Sequence, residues 1–127
     1  MPIVVASIDH VVLTVADIAA TEDFYSRALG MRVEIVEGQH ALHFGGQKFN
    51  LHQAGREFEP KARKPAAGSA DFCLIIDTRL ADAVAHLKRE GIAIEVGPVE
   101  RTGAIGPIRS IYLRDPDGNL VELANPM

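Results

Sequence analysis

The sequence predicts an α+β fold made of two tandem βαβββ modules, with curved mixed sheets and the helices on their convex sides. The first observation is an internal repeat, in which His10 and Gly30 recur as Asp71 and Gly91 with the same shift. The second is the order of elements, because a strand, a helix and three further strands can be traced in both copies. The third is size, since 127 residues of which 47% are hydrophobic suffice for one core. A single domain over residues 1–127 is therefore expected.

Module 1, about residues 5–53, begins with a β-branched run over residues 8–15 that predicts a strand. Asp17 is a suitable N-cap for the following helix, and Gly30 is a suitable left-handed stop at its end. Three strands are predicted after the helix, and Gly45-Gly46 between the last two is typical of a tight hairpin. These strands cover residues 31–36, 41–44 and 49–52.

Module 2, about residues 69–125, repeats this pattern. The apolar stripe of its helix stops at Gly91, and the Asp-Pro-Asp-Gly sequence of residues 115–118 predicts the turn before the last strand. Pro- and Gly-rich residues 53–69 predict an exposed connector between the modules. Residues 95–108 predict a long loop, which is either functional or disordered. The predicted strands of this module cover residues 72–76, 92–96, 109–114 and 119–124.

Charge and composition exclude several classes of partner. The formal net charge is −4, with 13 basic and 17 acidic residues interspersed, so no cationic surface for nucleic acid or anionic lipid is expected. No apolar run reaches the length of a membrane span, and the first residues lack a basic leader, which predicts a soluble, cytoplasmic protein. The single cysteine, Cys73, lies in an apolar run and is expected to be a small buried hydrophobe.

The alternation of side chains along the strands predicts a polar face opposite the core face of each sheet. Apolar residues spaced two apart claim the core, which turns the ionisable side chains between them to the other face. The first and last strands of each module then offer one group each. These groups are His10 with His52 in module 1, and Asp71 with Glu122 in module 2.

Two imidazoles and two carboxylates brought together favour a divalent cation. An unpaired carboxylate is costly to bury, and a neutral imidazole needs a hydrogen-bond partner or a metal. A polar residue on an exposed sheet face is the alternative for any single histidine, but recurrence at matching positions of both copies favours the metal site. The donor set suits Mn, Fe(II), Co, Ni or Zn and does not select among them.

Three segments carry a resemblance to a known family: Ile8-Asp9-His10-Val11-Val12-Leu13, residues 24–31, and residues 114–122. On these segments the chain resembles the vicinal oxygen chelate superfamily, which includes glyoxalase I, fosfomycin and bleomycin resistance proteins, and extradiol dioxygenases. The resemblance covers nearly the whole chain. Residues 44–52 and 101–112 are similar to the branch of glyoxalase domain-containing protein 5.

The resemblance implies that His10, His52 and Glu122 are metal ligands, since the family places its ligands on the first and last strands of each module. Asp71 stands where most metal-binding members have histidine. It is expected to coordinate directly, to hold a bound water, or to orient a neighbouring ligand. Glu122 would also shuttle a proton while the metal polarises a substrate carbonyl, which makes it the expected catalytic residue.

Four further residues are candidates for substrate binding. Arg101 and Arg109 flank the long loop, and a guanidinium group matches a carboxylate or phosphonate, although solvated surface arginines are the alternative. Alternation along the predicted strand places Arg109 on the face of Glu122 and Tyr112 in the core. The other two candidates, on the metal face of module 1, are Asn50 and His43.

The expected function is that of a divalent-metal-dependent enzyme similar to glyoxalase I, a lactoylglutathione lyase-like isomerase of a small vicinal-oxygen substrate. Two alternatives remain open: a resistance-type module that binds a metal or drug without turnover, and an extradiol-type dioxygenase. In many relatives of this length two chains pair so that each completes the other's site. The resemblance therefore implies a homodimer with the site at or near the subunit interface.

Overall fold

Two four-stranded sheets and two helices make up the protein. The structure, a computed structural model, describes residues 2–127. The order strand, helix, strand, strand, strand occurs twice along the chain. The elements are β1 (His10–Val15), α1 (Ile18–Leu29), β2 (Arg32–Val36), β3 (Gln39–Phe44), β4 (Gln47–Gln53), β5 (Asp71–Ile75), α2 (Leu80–Arg89), β6 (Val96–Thr102), β7 (Pro107–Arg114) and β8 (Leu120–Pro126).

Each module forms its own mixed sheet, and the two sheets have the same strand order. The orders are β1-β4-β3-β2 and β5-β8-β7-β6. In both sheets the first strand pairs in parallel with the last strand, and the other pairs are antiparallel. The predicted α+β fold of tandem βαβββ modules is confirmed.

The two helices begin in different ways. Asp17 caps α1, because its side chain accepts a hydrogen bond from the backbone N–H of Ala20 at 3.1 Å, and Gly30 ends this helix with a φ of 65°. Helix α2 has no cap from its own preceding residue. The Asn125 side chain of β8 instead accepts a hydrogen bond from the Leu80 N–H at 2.7 Å, which fixes the start of α2 to its sheet. Neither helix described in residues 2–127 is long and apolar enough to cross a membrane.

The two modules share one hydrophobic core. Buried residues of both sheets and both helices belong to a single cluster, in which the Phe49 and Phe72 rings lie 5.0 Å apart across the module boundary. Edge-to-face aromatic pairs of this kind add to the free energy gained by burying apolar area. Each module therefore depends on the other for the cover of its apolar face.

A buried carboxylate also joins the modules. Asp115, in the turn between β7 and β8, accepts hydrogen bonds from the backbone N–H groups of Asp117 and Asn119 and from the Asn119 side chain. Its fourth bond comes from the Tyr25 hydroxyl of α1, at 2.8 Å. Burial and the Asp115 charge together raise the pKa of Tyr25. The turn of module 2 is thus fixed to the helix of module 1.

One predicted element is wrong. Residues 92–96 were expected to form a strand and residues 95–108 a loop, but the edge strand β6 runs from Val96 to Thr102. The register shifts between Val96 and Val99, and a side chain at Gly97, where φ is 107°, would place its Cβ 2.4 Å from the Ser110 carbonyl oxygen. Pro98 is tolerated because an edge strand has an unpaired side. This bulge breaks the alternation that identifies a strand in sequence.

Candidate functional site

The polar face of module 2 carries two carboxylates from neighbouring strands. In the parallel β5–β8 pair, Cys73 lies opposite Glu122 and Asp71 lies opposite Leu120. Asp71 and Glu122 are therefore diagonal neighbours, about 7–8 Å apart at their Cα atoms and on one side of the sheet. We call this surface, with Asp71, Cys73 and Glu122, the module 2 polar face.

The equivalent surface of module 1 carries a different set of groups. In the parallel β1–β4 pair, His10 lies opposite Lys48, Val12 opposite Asn50, and Thr14 opposite His52. We call the surface with His10, Asn50 and His52 the module 1 polar face. By strand register, His10 is the equivalent of Asp71, and Asn50 is the equivalent of Glu122.

The register corrects the expected pairing of His10 with His52. The two residues are four steps apart along the parallel strands, about 13 Å at 3.3 Å per residue. Two imidazoles this far apart cannot coordinate one ion. Both do lie on the predicted face, because a shift of two residues keeps the side of the sheet. Asn50, expected as a substrate contact, occupies the position that was assigned to His52.

His10 is prepared to donate a nitrogen lone pair. Its Nδ1 lies 2.8 Å from the Asp9 carboxylate. The hydrogen bond from His10 lowers the pKa of Asp9, and the charges of His10 and Lys48 act in the same direction against partial desolvation. In the neutral tautomer that donates its Nδ1–H to Asp9, the lone pair of the imidazole lies on Nε2. A carboxylate behind an imidazole is the usual support of a metal-binding histidine.

One chain does not bring the two polar faces together. Both sheets turn their other faces to the shared core, so the module 1 and module 2 polar faces lie on separate outer surfaces. Within residues 2–127, no three His, Cys, Asp or Glu side chains lie close enough to hold a metal ion. The predicted cluster is thus divided between the two faces, with His10 and His52 on one and Asp71 and Glu122 on the other.

Tyr112 lies beside Glu122, although the sequence placed it in the core. In the antiparallel β7–β8 pair Tyr112 lies directly opposite Glu122, and paired residues share a face. The Arg101 guanidinium donates to the Tyr112 hydroxyl at 3.0 Å and lies 5.5 Å from the centre of its ring. Arg101 is therefore brought to the module 2 polar face.

Arg109 lies on the opposite side of the same sheet. It pairs with Asn125 and alternates with Tyr112, so it shares the face of buried Ile111. The prediction that Arg109 shares the face of Glu122 is wrong. Alternation along one strand does not determine its register with the next, and the pairing in the structure places Tyr112 opposite Glu122.

Cys73 is exposed and does not pack in the core as predicted. The outward positions of β5 are not covered by a helix, so the apolar run around Cys73 does not bury it. Partial desolvation, followed by the charge and hydrogen bonding of Glu122, raises the pKa of the thiol to about 11. The thiol is therefore protonated at neutral pH.

His43 lies on the predicted face but is already paired. Its Nε2 lies 3.3 Å from the Glu34 carboxylate of β2. The hydrogen bond from Arg32 is the largest cause of the lowered pKa of Glu34, with further contributions from His43. His43 is therefore held toward the outer strand, away from β1.

The connector lies over part of the module 1 polar face and borders a half-open cavity of about 500 Å³. The His52 and Phe58 rings lie 5.5 Å apart, edge to face, where the connector crosses β4. The far end of the connector is also fixed, because a Cβ at Gly68 would lie 2.5 Å from the Asp117 carbonyl oxygen. Lys61 and Lys64 line this cavity together with His52. No sequence pattern predicts this cavity, because the connector has no periodicity.

Comparison with known proteins gives a consistent family. The family model described as "Glyoxalase/Bleomycin resistance protein/Dioxygenase superfamily" matches residues 7–123. The chain is 56% identical over 122 residues to "Glyoxalase domain-containing protein RDO1" of Mycosarcoma maydis, which covers 95% of this chain and 69% of that protein.

Solved structures extend this similarity. "Virulence protein STM3117" of Salmonella typhimurium is 53% identical over 95% of this chain and 85% of its own length. Its crystal structure aligns with a TM-score of 0.97 over 98% of this chain and 100% of that chain, at 51% identity. A lactoylglutathione lyase from Agrobacterium tumefaciens aligns with a TM-score of 0.72 at 25% identity, over 94% of this chain and 93% of that one.

Proposed function

Because the chain belongs to the Glyoxalase/Bleomycin resistance protein/Dioxygenase superfamily, we propose that it is a divalent-metal-dependent enzyme of glyoxalase type. Its reaction would be the isomerisation of a small vicinal-oxygen substrate by proton transfer. The observation that carries the proposal is the diagonal pair of Asp71 and Glu122, with His10 and Asn50 at the equivalent positions of module 1.

The complete site would form between two copies of the chain. Each chain holds the two halves of the donor set on separate surfaces, so the site is incomplete in a single copy. A two-fold dimer would bring the module 1 polar face of one subunit against the module 2 polar face of the other, and would do so twice. Members of this superfamily often form dimers and bind small molecules, which supports this arrangement.

The donor chemistry fits a divalent ion. His10 offers an imidazole nitrogen, Asp71 and Glu122 offer carboxylates, and Asn50 offers an amide oxygen. Nitrogen and oxygen donors in this mixture suit Mn, Fe(II), Co, Ni or Zn and leave coordination positions for substrate oxygens. A bound ion would polarise the vicinal oxygens of the substrate. Superfamily members commonly bind a divalent metal, and this supports the assignment.

The chain's own groups would move and orient the proton. Glu122 lies directly opposite Tyr112, and we assign it the role of general base and acid that carries a proton between two carbons of the substrate. Arg101 and the Tyr112 hydroxyl would orient a polar group of the substrate beside Glu122. The similarity to a lactoylglutathione lyase supports a proton-transfer reaction of this kind.

The first test is the activity of the Glu122→Gln variant. Purified protein reconstituted with each of the five metals would be assayed with the hemithioacetal of methylglyoxal and glutathione. Glu122→Gln should lower kcat at least about 100-fold, because the amide cannot accept the proton. The matched control is Asp82→Asn on the exposed surface of α2, which should leave kcat unchanged. If the metal-loaded protein binds ligand without turnover, the enzyme assignment is wrong and the protein is a binding module.

The second test asks whether two chains share one site. His10→Ala and Glu122→Gln variants, each inactive, would be unfolded together and refolded as a mixture. If the halves come from different chains, half of the dimers are mixed, and each has one intact site. Activity should then recover to about a quarter of the wild-type value. A mixture as inactive as its parents would mean that each chain builds its own site.

A further inference from the structure

The cavity beneath the connector is a separate candidate for ligand binding. We propose that it binds a small organic anion, a carboxylate or phosphate-type group attached to an apolar body. Its volume of about 500 Å³ lies within the range of small-molecule sites. Three features support this ligand class: the lysines of the lining, the unbonded ring nitrogens of His52, and the apolar walls.

Two lysines supply the positive charge of the lining. Lys61, Lys64 and His52 line the cavity without any Asp or Glu, although the chain carries a net charge of −4. Lys61 is already paired, with Glu59 at 3.3 Å and Glu57 at 3.7 Å. Lys64 forms no ion pair with any residue in the described part of the chain, so its ammonium group is available to an anion.

His52 has hydrogen-bonding capacity that the protein does not use. Phe58 holds the imidazole ring edge to face at 5.5 Å, and no described residue hydrogen-bonds to either ring nitrogen. The side chain is half-buried in the wall of the cavity, so its ring is accessible to a ligand there. With His52 too far from His10 for a shared ion, a ligand in the cavity is the partner that the geometry allows.

The walls of the cavity are apolar. Val12, Pro60 and Pro65 line it together with three alanines, and the hydroxyl of Thr14 lies on the strand next to His52. An inorganic ion would leave most of this surface without contacts. A molecule with an anionic head for Lys64 and an apolar body for the prolines would fill it.

The position of the cavity indicates which part of the substrate it would hold. His52 and Asn50 share the module 1 polar face and lie two residues apart, about 7 Å along β4. The anion bound here would be the charged end of the substrate, whose vicinal oxygens reach the metal site. This last step rests on the proposed function, whereas anion binding itself requires no metal.

The experiment is calorimetric titration of the full-length, EDTA-treated protein with phenylphosphonate, benzoate and the neutral benzamide. Phenylphosphonate and benzoate should bind one per chain, and benzamide at least about tenfold more weakly. Lys64→Gln should weaken phenylphosphonate binding about tenfold, and His52→Gln about fivefold. The matched control is Arg63→Gln, next to Lys64 but outside the cavity lining, which should leave the affinity within about twofold.

Equal binding of benzamide and benzoate, or an unchanged affinity in Lys64→Gln, would overturn the anion site. Thermal unfolding of each variant excludes loss of fold as the cause. The two proposals fail separately. Metal-free anion binding without turnover in reconstituted protein would end the enzyme assignment alone, and turnover without the Lys64 effect would end the anion site alone.

Discussion

The two modules have the same backbone scaffold but carry different polar side chains at equivalent positions. Both sheets share one strand order and one register between first and last strands, yet the equivalent positions hold His10 and Asn50 in one module and Asp71 and Glu122 in the other. The neutral half is partly covered by the connector with its two lysines. A duplicated fold can thus keep its backbone while equivalent positions carry acidic side chains in one module and an imidazole and an amide in the other.

The division has an electrostatic reason. In the proposed dimer, the two carboxylates of one half would attract a divalent cation, and the imidazole and amide of the other half would add no negative charge. If both halves carried carboxylates, four negative charges would meet at the subunit interface. On the proposed function, this separation would favour both metal binding and association of the chains.

The largest expected effect is on metal affinity. The double change Asp71→Asn with Glu122→Gln keeps side-chain size and removes both charges, so the affinity should fall by about 1,000-fold or more. The matching change in the neutral half, Asn50→Ala, should cost less than about tenfold. Competition with a chelating indicator measures both. Equal losses from the two halves would contradict the division by charge.

The second effect concerns the link between the modules. Asp115→Ala removes four hydrogen bonds from a buried network and should lower the free energy of unfolding by about 3 kcal/mol or more. Tyr25→Phe, which removes one of these bonds, should cost about 1.5–3 kcal/mol. Urea unfolding measures both. Asp23→Ala on the exposed side of α1 is the control, with an expected change below about 0.5 kcal/mol.

The third effect contrasts two glycines. Gly97→Ala in the bulge of β6 should cost about 2 kcal/mol, because φ is 107° and the new Cβ would meet the Ser110 carbonyl oxygen. Gly46 in the β3–β4 hairpin has open space around it and no positive φ. Gly46→Ala should therefore change stability by less than about 0.5 kcal/mol. If thermal unfolding shows similar losses of stability for both variants, the strain is not specific to the β6 bulge of module 2.

The smallest effect is the pH dependence contributed by one ion pair of module 2. Arg114 donates two hydrogen bonds to Glu95 at 3.1 Å and lowers the pKa of that carboxyl, against partial desolvation. Because the folded pKa lies below the unfolded one, the contribution to stability is present above the unfolded pKa. It is lost as pH falls through the lowered folded value. An NMR titration of Glu95 should show its pKa rise in Arg114→Gln; no change would exclude the ion pair as the cause.

Strand faces could be predicted from the sequence, but strand register could not. Alternation placed His10, Asn50, His52, Asp71 and Glu122 on polar faces, since apolar neighbours decide which side of a strand is buried. A slip of two residues preserves that side, so the same pattern could not distinguish Asn50 from His52 as the equivalent of Glu122. Register is set by the connections and by packing across the sheet.

The remaining differences have local causes. The β6 strand was missed because the Gly97-Pro98 pair reads as a loop, whereas an edge strand accepts both residues at a bulge. The faces predicted for Arg109 and Tyr112 are the reverse of those observed, because alternation does not give the register across the turn between β7 and β8. The cavity was not predicted because it depends on where an irregular connector lies, and such a segment has no repeating pattern to analyse.

The continuous apolar cluster that contains Phe49 and Phe72 bears on how such a chain arose. A half-length polypeptide with one sheet and one helix would have left the side of its sheet that now meets the other repeat in contact with water. Such an ancestor could persist only by associating with a copy of itself. Pairing of identical halves would then be older than the gene fusion that joined them.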